Sequence, residues 1–296
     1  MRPASKPDWG RPTEMNLIHH ATSSLGVASD NLDDESHIMT GIAQFSKFSF
    51  SQPYGPGQLY GAPPYSYRNA QSITAVFTAE GTGIEDFLPP GVKVADPEPL
   101  ALVTVSHYPQ TAFGSYNEFW LYVRVEFNGE RFMYCVAMYA DSEKATAAGR
   151  ELWGFPKKMA QMSLRQEGGQ WTFRAARPAD NCMLTLTFIE DSAQESGMRG
   201  EISLPTLSLR LIPHFTGEGE PDIAQLLATD NKKTLRQSAL GTDERRCGRA
   251  HISWISTVAD PFEPFVPKKM LGAWFSNYDT DVPGAYALVH DYKRKA

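Results

Sequence analysis

Cysteine is scarce in this 296-residue chain, which contains only Cys135, Cys182 and Cys247. An odd number without CxxC spacing predicts neither a disulfide framework nor a zinc knuckle, and it favours a reducing compartment. Long apolar runs are also missing: no stretch approaches the roughly 18 apolar residues of a membrane span, and the first residues lack the apolar core of a signal peptide. We therefore expect a cytoplasmic protein without membrane contact.

Concentrated positive charge is missing as well. The formal net charge is −6, and the basic residues are scattered along the chain. Nucleic acids and anionic membranes select proteins with a basic patch, so we expect neither partner. The histidines show no HExxH or similar spacing, and no GxSxG, P-loop or GxGxxG motif is present. The sequence thus predicts a small-molecule partner, no metal and no cofactor.

Most of the chain carries strand signals. Residues 1–45 sustain no period and predict an N-terminal extension, whereas residues 46–296 predict one mainly β domain of the α+β class. A helix is predicted over Glu143 to Leu152, after an N-cap at Asp141-Ser142, and a second helix near Asp222 to Ala228. The predicted strands cover residues 65–78, 101–107, 118–127, 130–139, 159–166, 170–174, 183–189, 203–212, 251–258 and 285–292.

The clearest element is the hairpin from Glu118 to Tyr139, in which Asn128-Gly129 joins two apolar, aromatic-rich runs. Asn-Gly is the strongest short hairpin signal because both turn positions need positive φ. Counting back from a two-residue turn places Glu118 opposite Tyr139, on the same face as Trp120. This face mixes aromatic and polar side chains, as the wall of a cavity does. The opposite face is apolar and predicts the core.

The most informative segment runs from Gly149 to Lys158, GRELWGFPKK, and ends in two adjacent lysines. An unperturbed lysine titrates near 10.4, so almost none of it is nucleophilic at neutral pH. A neighbouring positive charge and an apolar pocket both destabilise an ammonium group and thereby produce a reactive amine. A second pair, in Pro267-Lys268-Lys269-Met270, shows that the tripeptide alone means little. The first pair is preferred because it alone follows Gly149-Arg150-Glu151 and an acid-bearing hairpin.

This segment, with Gly-Arg-Glu followed by an aromatic residue and Pro-Lys-Lys, resembles the Schiff-base segment of the acetoacetate decarboxylase family, in which a second cationic group activates the reactive lysine. Weaker matches follow in the same order from about Pro64 to Tyr292, at residues 87–91, 114–118, 211–215 and 286–292. The resemblance implies that Lys157 forms the imine, that Lys158 supplies the activating charge and that Glu118 is the active-site glutamate. It also implies a closed, curved antiparallel β-barrel or cone with few short helices, assembled into a homo-oligomer.

Strand faces and motifs together predict the substrate pocket. Five residues are expected to line it: Arg68, Tyr116, Trp120, Tyr139 and Phe155. In an ungapped alignment, Ala70 and Val103 stand where the family's decarboxylases carry an arginine and a second pocket glutamate. Arg68 lies two residues from Ala70, on the same face of a regular strand, and is the candidate for the missing charge. Phe155 replaces a tyrosine, which removes a hydroxyl group from the site.

These features predict an enzyme, namely a cofactor-independent carbon–carbon lyase that decarboxylates a β-keto acid or related oxo acid through a lysine imine. The same imine and its enamine also serve an aldolase-dehydratase or an isomerase, and the departures at Ala70 and Val103 keep this alternative open. A non-catalytic small-molecule-binding protein on the same fold is the second alternative. The retention of Lys157, Lys158 and Glu118 together argues against it.

Overall fold

A 16-stranded sheet and one short α-helix form the part of the chain that the structure describes. This structure is a computed structural model, and it describes residues 51–53, 55–194, 198, 201–230, 233–235 and 245–293. The extension predicted over residues 1–45 lies outside these residues, so the division into an extension and one domain stays a prediction. No helix among the described residues is long and apolar enough to cross a membrane.

The strands follow one another with few interruptions. Helix α1 spans Glu143–Leu152, and two short 3-10 helices span Ile84–Phe87 and Glu263–Phe265. In chain order the strands are β1 (Tyr65–Ala79), β2 (Lys93–Val94), β3 (Leu100–Tyr108), β4 (Gln110–Thr111), β5 (Tyr116–Phe127), β6 (Glu130–Ala140), β7 (Lys157–Met159), β8 (Gln161–Glu167), β9 (Gln170–Ala176), β10 (Cys182–Glu190), β11 (Thr206–Ile212), β12 (Ile223–Thr229), β13 (Lys233–Leu235), β14 (Arg245–Trp254), β15 (Pro267–Val282) and β16 (Ala287–Asp291).

The strand order is β16-β12-β11-β6-β5-β3-β1-β15-β14-β10-β9-β8. The four short strands β2, β4, β7 and β13 pair with β5, β1, β6 and β15, respectively. Pairing is antiparallel except that β7 and β11 run parallel to β6. The expectation of a mainly β protein with few helices is confirmed. Within the described residues the order has two ends, β16 and β8, so a closed barrel or cone stays a prediction.

The two faces of the central strands bury different clusters. On β5, Phe119, Leu121, Val123 and Val125 are fully buried in the main hydrophobic core, as predicted from the alternation of the hairpin. The intervening side chains on β5, beginning with Glu118, point to the other face. That face carries two smaller apolar clusters and the cavity described below.

The predicted hairpin turn is confirmed, but the register beyond it is not. Asn128 and Gly129 both have positive φ, 52° and 83°, as a two-residue turn of this kind requires. Pairing follows the prediction as far as Tyr122 opposite Cys135, and the next pair is Leu121 with Ala137. Val136 is therefore the extra residue of a β-bulge, which shifts the pairing by one residue and exchanges the faces beyond it. Glu118 consequently pairs with Ala140 rather than with Tyr139.

The predicted helix near residues 222–228 is wrong, because the segment forms strand β12 between β11 and β16. Its Ala, Leu and Gln residues favour a helix locally, but helix propensity is worth less than about 1 kcal/mol per residue, and pairing on both sides outweighs it. Strand β15, the longest of the sheet, was not predicted. Six consecutive residues at its centre are buried, so the strand lacks the alternation of buried and exposed positions by which a strand is predicted.

Helix α1 begins and ends as its sequence indicates. The Ser142 hydroxyl accepts a hydrogen bond from the backbone N–H of Ala145, which confirms the predicted N-cap. After the helix, Gly154 adopts a φ of 70°. A Cβ on Gly154 would lie 2.3 Å from the backbone nitrogen of Arg210 on β11, so only glycine allows this approach. The tight turn then directs the chain into β7.

Candidate active site

A cavity of about 780 Å³ opens on the face of the sheet opposite the main core. Strands β1, β3, β5, β6 and β15 provide much of its wall, and helix α1 and the start of β7 border it. Four of the residues predicted for the site line it: Glu118, Trp120, Phe155 and Lys157. Among the described residues, no three His, Cys, Asp or Glu side chains are grouped so as to hold a metal ion.

Lys157 and Glu118 form a buried ion pair in this cavity. The distance from Lys157 Nζ to Glu118 Oε2 is 2.5 Å, and the two side chains are only 6% and 5% exposed. The pair forms because β7 runs parallel to β6 with Lys157 next to Met138, whereas Glu118 comes from β5 on the other side of β6. The Tyr116 ring lies 5.9 Å from Nζ. Thus a short strand brings the amine to a carboxylate that is distant in sequence.

Burial controls how this pair titrates. It raises the pKa of Glu118 above its ordinary value, although the charge and hydrogen bond of Lys157 and a hydrogen bond from Tyr116 oppose the shift. A carboxylate with a raised pKa accepts a proton readily, so Glu118 can take the proton that the amine must lose before it attacks a carbonyl. Burial also raises the pKa of Tyr108 and Tyr116 well above the ordinary value, so both phenols stay neutral near the pair.

The side chain of Lys157 lies directly against helix α1 at Gly149. A Cβ built on Gly149 would lie 2.5 Å from Lys157 Cδ and 2.6 Å from Cε. Carbon atoms in contact are normally about 3.5–4.0 Å apart, so the glycine is needed for the lysine chain to pass. The backbone carbonyl of Gly149 also accepts a hydrogen bond from the N–H of Phe155. This contact gives the glycine of the Gly-Arg-Glu motif a physical role.

Lys158 lies on the opposite face of β7 from Lys157 and does not line the cavity. Its Nζ donates to Asp260 Oδ1 at 2.9 Å and to the carbonyl of Ala259. Asp260 is buried, and it also accepts a hydrogen bond from the Tyr139 hydroxyl at 2.6 Å and pairs with Arg177. Because Asp260 compensates its charge on the other side of the strand, Lys158 is poorly placed to act on the amine.

Similarity to known proteins identifies the family of this chain. The family model for acetoacetate decarboxylase (ADC) matches residues 50–292. The chain belongs to the acetoacetate decarboxylase family. The resemblance inferred from the lysine segment is confirmed, and so is the expectation of an enzyme. Acetoacetate decarboxylase 1 of Mesorhizobium japonicum is 31% identical over 173 residues, which cover 57% of this chain and 67% of that relative. A second acetoacetate decarboxylase of the same organism is matched over 64% of its length.

Solved structures of other proteins share the fold of this chain. The acetoacetate decarboxylase of Legionella pneumophila aligns with a TM-score of 0.69 at 23% identity, over 83% of this chain and 95% of that chain. The enduracididine biosynthesis enzyme MppR, complexed with the condensation product of pyruvate and imidazole 4-carboxaldehyde, aligns with a TM-score of 0.65 at 15% identity, over 82% and 97% of the two chains. At such identities the likeness shows the fold alone.

Two residues predicted for the pocket lie elsewhere in this acetoacetate decarboxylase family member. Tyr139 faces the main core, where its ring stacks on Phe119 with centroids 4.6 Å apart, because the bulge at Val136 exchanges the faces. Arg68 points away from the cavity and pairs with Asp281 at 2.8 Å. A bulge interrupts β1 next to Arg68, where Asn69 has a φ of 57°, so Arg68 and Ala70 do not share a face. The prediction that Arg68 supplies a pocket charge is wrong.

The structure also places Tyr116 and the two positions, Ala70 and Val103, at which the chain departs from the family. Tyr116 lies beside the Lys157 amine, and its hydroxyl is 3.1 Å from that of Tyr67, which lines the cavity. Ala70 is fully buried in the apolar cluster around the site. Val103 faces the main core, so the absence of a charge there removes nothing from the cavity.

Sequence reasoning missed a group of hydroxyl side chains on the cavity wall. Ser72 Oγ lies 2.7 Å from Ser106 Oγ and 3.0 Å from the Tyr278 hydroxyl. Thr74 and Thr104 form a similar pair at 2.9 Å. The sequence contained a signal for these hydroxyl side chains, because serine and threonine alternate with apolar residues in β1. Arg245, the one arginine among the described residues that line the cavity, was missed too, since it begins a strand that was predicted to start later.

Proposed function

We propose that this member of the acetoacetate decarboxylase family is an imine-forming carbon–carbon lyase that decarboxylates a β-keto acid or a related oxo acid. The observation that carries the proposal is the contact between Lys157 Nζ and Glu118 Oε2, buried in a cavity large enough for a substrate. Burial raises the pKa of Glu118, which suits this carboxylate to accept a proton from the amine before the amine attacks a carbonyl.

The chemical steps use the pair as follows. Glu118 takes a proton from the Lys157 ammonium, and the neutral amine attacks the ketone carbon of the substrate. Loss of water gives a protonated imine. The electrons of the carbon–carboxylate bond then move toward the imine nitrogen, so carbon dioxide leaves and an enamine remains. Glu118 returns its proton when water leaves, so the enamine carbon is protonated by a proton from solvent that Glu118 relays, and hydrolysis of the imine then releases the ketone and returns Lys157.

Arg245 is the proposed partner for a substrate carboxylate, in place of Arg68. It lines the same cavity, and it pairs in register with Ser276, next to the hydroxyl groups on β1 and β3. A guanidinium group recognises a carboxylate through paired N–H donors. Replacement of Arg245 by glutamine should therefore raise KM for oxo acids more than for uncharged ketones.

An aldolase-dehydratase is the second candidate function. The cavity supports it because its volume can hold two substrates. At about 30 Å³ per water-sized group, the seven non-hydrogen atoms of acetoacetate occupy roughly 200 Å³, whereas the cavity measures about 780 Å³. A condensation brings two substrates together, and MppR, a relative in fold, is named with such a condensation product. The same imine and enamine would serve this reaction or an isomerisation.

The decisive experiment is reduction with sodium borohydride in the presence of acetoacetate or pyruvate, followed by peptide mass spectrometry. We expect an adduct on Lys157 that is lost in Lys157→Arg. The matched control is Lys268→Arg, which makes the same change in the second Pro-Lys-Lys-Met motif and should leave the adduct intact. Release of carbon dioxide from acetoacetate identifies the decarboxylase; condensation of pyruvate with an aldehyde identifies the aldolase-dehydratase. If neither compound modifies Lys157, the proposal fails and a non-catalytic binding protein is the better description.

A further inference from the structure

The strand register arranges the part of the sheet that bears the cavity wall in three parallel rows across β15, β1, β3 and β5. The carboxylate row contains Glu118 and three serines: Ser276, Ser72, Ser106 and Glu118 are paired in that order. The threonine row lies two residues further along each strand and contains Trp274, Thr74, Thr104 and Trp120. The apolar row follows after two more residues and contains Gly272, Val76, Leu102 and Tyr122. Since a strand rises about 3.4 Å per residue, successive rows are roughly 7 Å apart.

Polarity falls from row to row. The carboxylate row holds Glu118, whose Oε2 contacts the Lys157 amine, and the threonine row joins its hydroxyl pair to two tryptophans. Beyond it, Leu102, Met133 and Trp274 form one buried apolar cluster, with exposures of 4%, 2% and 6%, together with the partly buried Leu204. These side chains form an apolar compartment at the end of the cavity remote from the amine, which we define by Leu102, Met133, Trp274 and Leu204. Thr206, which pairs with Met133, borders it.

Trp120 and Tyr122 connect this compartment to the site of reaction. Both pack against the apolar compartment and against the separate apolar cluster around Lys157. Their rings are nearly parallel, with centroids 6.2 Å apart and an interplanar angle of 26°. Aromatic side chains in this arrangement offer a flat apolar surface to a ring that lies beside them. The cavity thus continues from the amine along an aromatic wall into the apolar compartment.

We infer that the natural substrate is an oxo acid whose keto carbon carries an aromatic ring or a branched apolar chain, and that this group occupies the apolar compartment while the carbonyl meets Lys157. The inference rests on the proposed function, because the imine fixes one end of the substrate. Acetoacetate would leave the apolar compartment empty. An apolar substituent of about 7–14 Å, the distance from the carboxylate row to the threonine and apolar rows, would fill it.

The test compares two methyl ketones with the same reacting carbonyl, acetone and benzylacetone, in the borohydride reaction at Lys157. Transfer of one phenyl ring into an apolar site corresponds to about a 10- to 100-fold gain in affinity. We expect half-maximal modification of Lys157 at a concentration of benzylacetone lower by that factor than the concentration of acetone. Equal concentrations for the two ketones would overturn the inference, and this result needs no variant. Modification by acetone alone still supports the imine, whereas failure of both ketones sinks the proposed function itself.

A second measurement locates the effect. Leu102→Trp places an indole in the apolar compartment and should reduce the preference for benzylacetone to less than threefold. The matched control is Leu288→Trp on β16, which makes the same change at a side chain that is 45% exposed and outside the cavity. This control should retain the full preference. A folded Leu102→Trp protein that retains it as well would show that the ring binds elsewhere.

Discussion

Gly149→Ala tests whether the active-site geometry depends on the close contact between helix α1 and Lys157. The added methyl group would lie 2.5 Å from Lys157 Cδ and 2.6 Å from Cε, whereas carbon atoms in contact need about 3.5 Å or more. The lysine chain must therefore shift by about 1 Å. Its Nζ, which lies 2.5 Å from Glu118 Oε2, shifts with it. A displacement of this size at a reacting atom costs about 100-fold in rate.

Stability should change much less than activity in this variant. Gly149 lies inside the helix, where alanine is better than glycine by about 1 kcal/mol. Overpacking a buried contact costs about 1–3 kcal/mol, but here the neighbouring atoms belong to a long, flexible side chain. The net change in the free energy of unfolding should lie within about 2 kcal/mol of zero.

The assay measures kcat and the borohydride adduct at Lys157 in the same preparation, with thermal unfolding as the check on folding. The matched control is Gly61→Ala, because a Cβ at Gly61 would meet no atom within 4 Å. It should leave the rate unchanged. A Gly149→Ala protein that is folded and reacts within threefold of the wild-type rate would refute the role assigned to this contact.

Three further predictions follow from other contacts. Glu118→Gln removes the proton acceptor of the amine and should lower kcat by about 10²–10⁴-fold; a loss below tenfold, measured by carbon dioxide release, would contradict its role. Gly154→Ala should destabilise the fold by more than 2 kcal/mol, on the order of the cost of a strained backbone plus a clash, because its Cβ would lie 2.3 Å from the Arg210 nitrogen; an unchanged midpoint in urea would exclude this. In Asp260, burial opposes ionisation, but hydrogen bonds from Tyr139 and Lys158 and the charge of Arg177 outweigh it and hold the pKa below its ordinary value. Asp260→Asn should therefore cost about 1–3 kcal/mol at neutral pH, and the difference from wild type should shrink as pH falls below about 4; a difference independent of pH would show that the charge is not responsible.

Local patterns predicted the parts of the site that local chemistry controls. Asn128-Gly129 specified the hairpin turn because its backbone demands leave few alternatives, and Ser142 specified the start of the helix for the same reason. The lysine segment identified the family, and Lys157 and Glu118 lie together as the resemblance implied. In each case a short stretch of sequence determines the outcome.

The errors arose where distant strands decide the structure. The positions of Tyr139 and Arg68 depend on bulges that have no strong sequence signal, since a bulge is stabilised by the neighbouring strands. Lys158 could be assigned to the opposite side of β7 only once its partner Asp260, 102 residues away, was placed. Strand β12 was predicted as a helix because its neighbours in the sheet could not be read from its own residues.

The bulge at Val136 also determines which of the two adjacent lysines faces the cavity and is therefore the proposed nucleophile. Strand β7 takes its phase from β6, with Lys157 beside Met138 and Lys158 beside Tyr139. Without the extra residue, the two faces at the end of β6 would be exchanged. Tyr139 and Lys158 would then face the cavity. A single extra residue in a neighbouring strand thus specifies the proposed reactive amine, although the two lysines do not differ in chemical type.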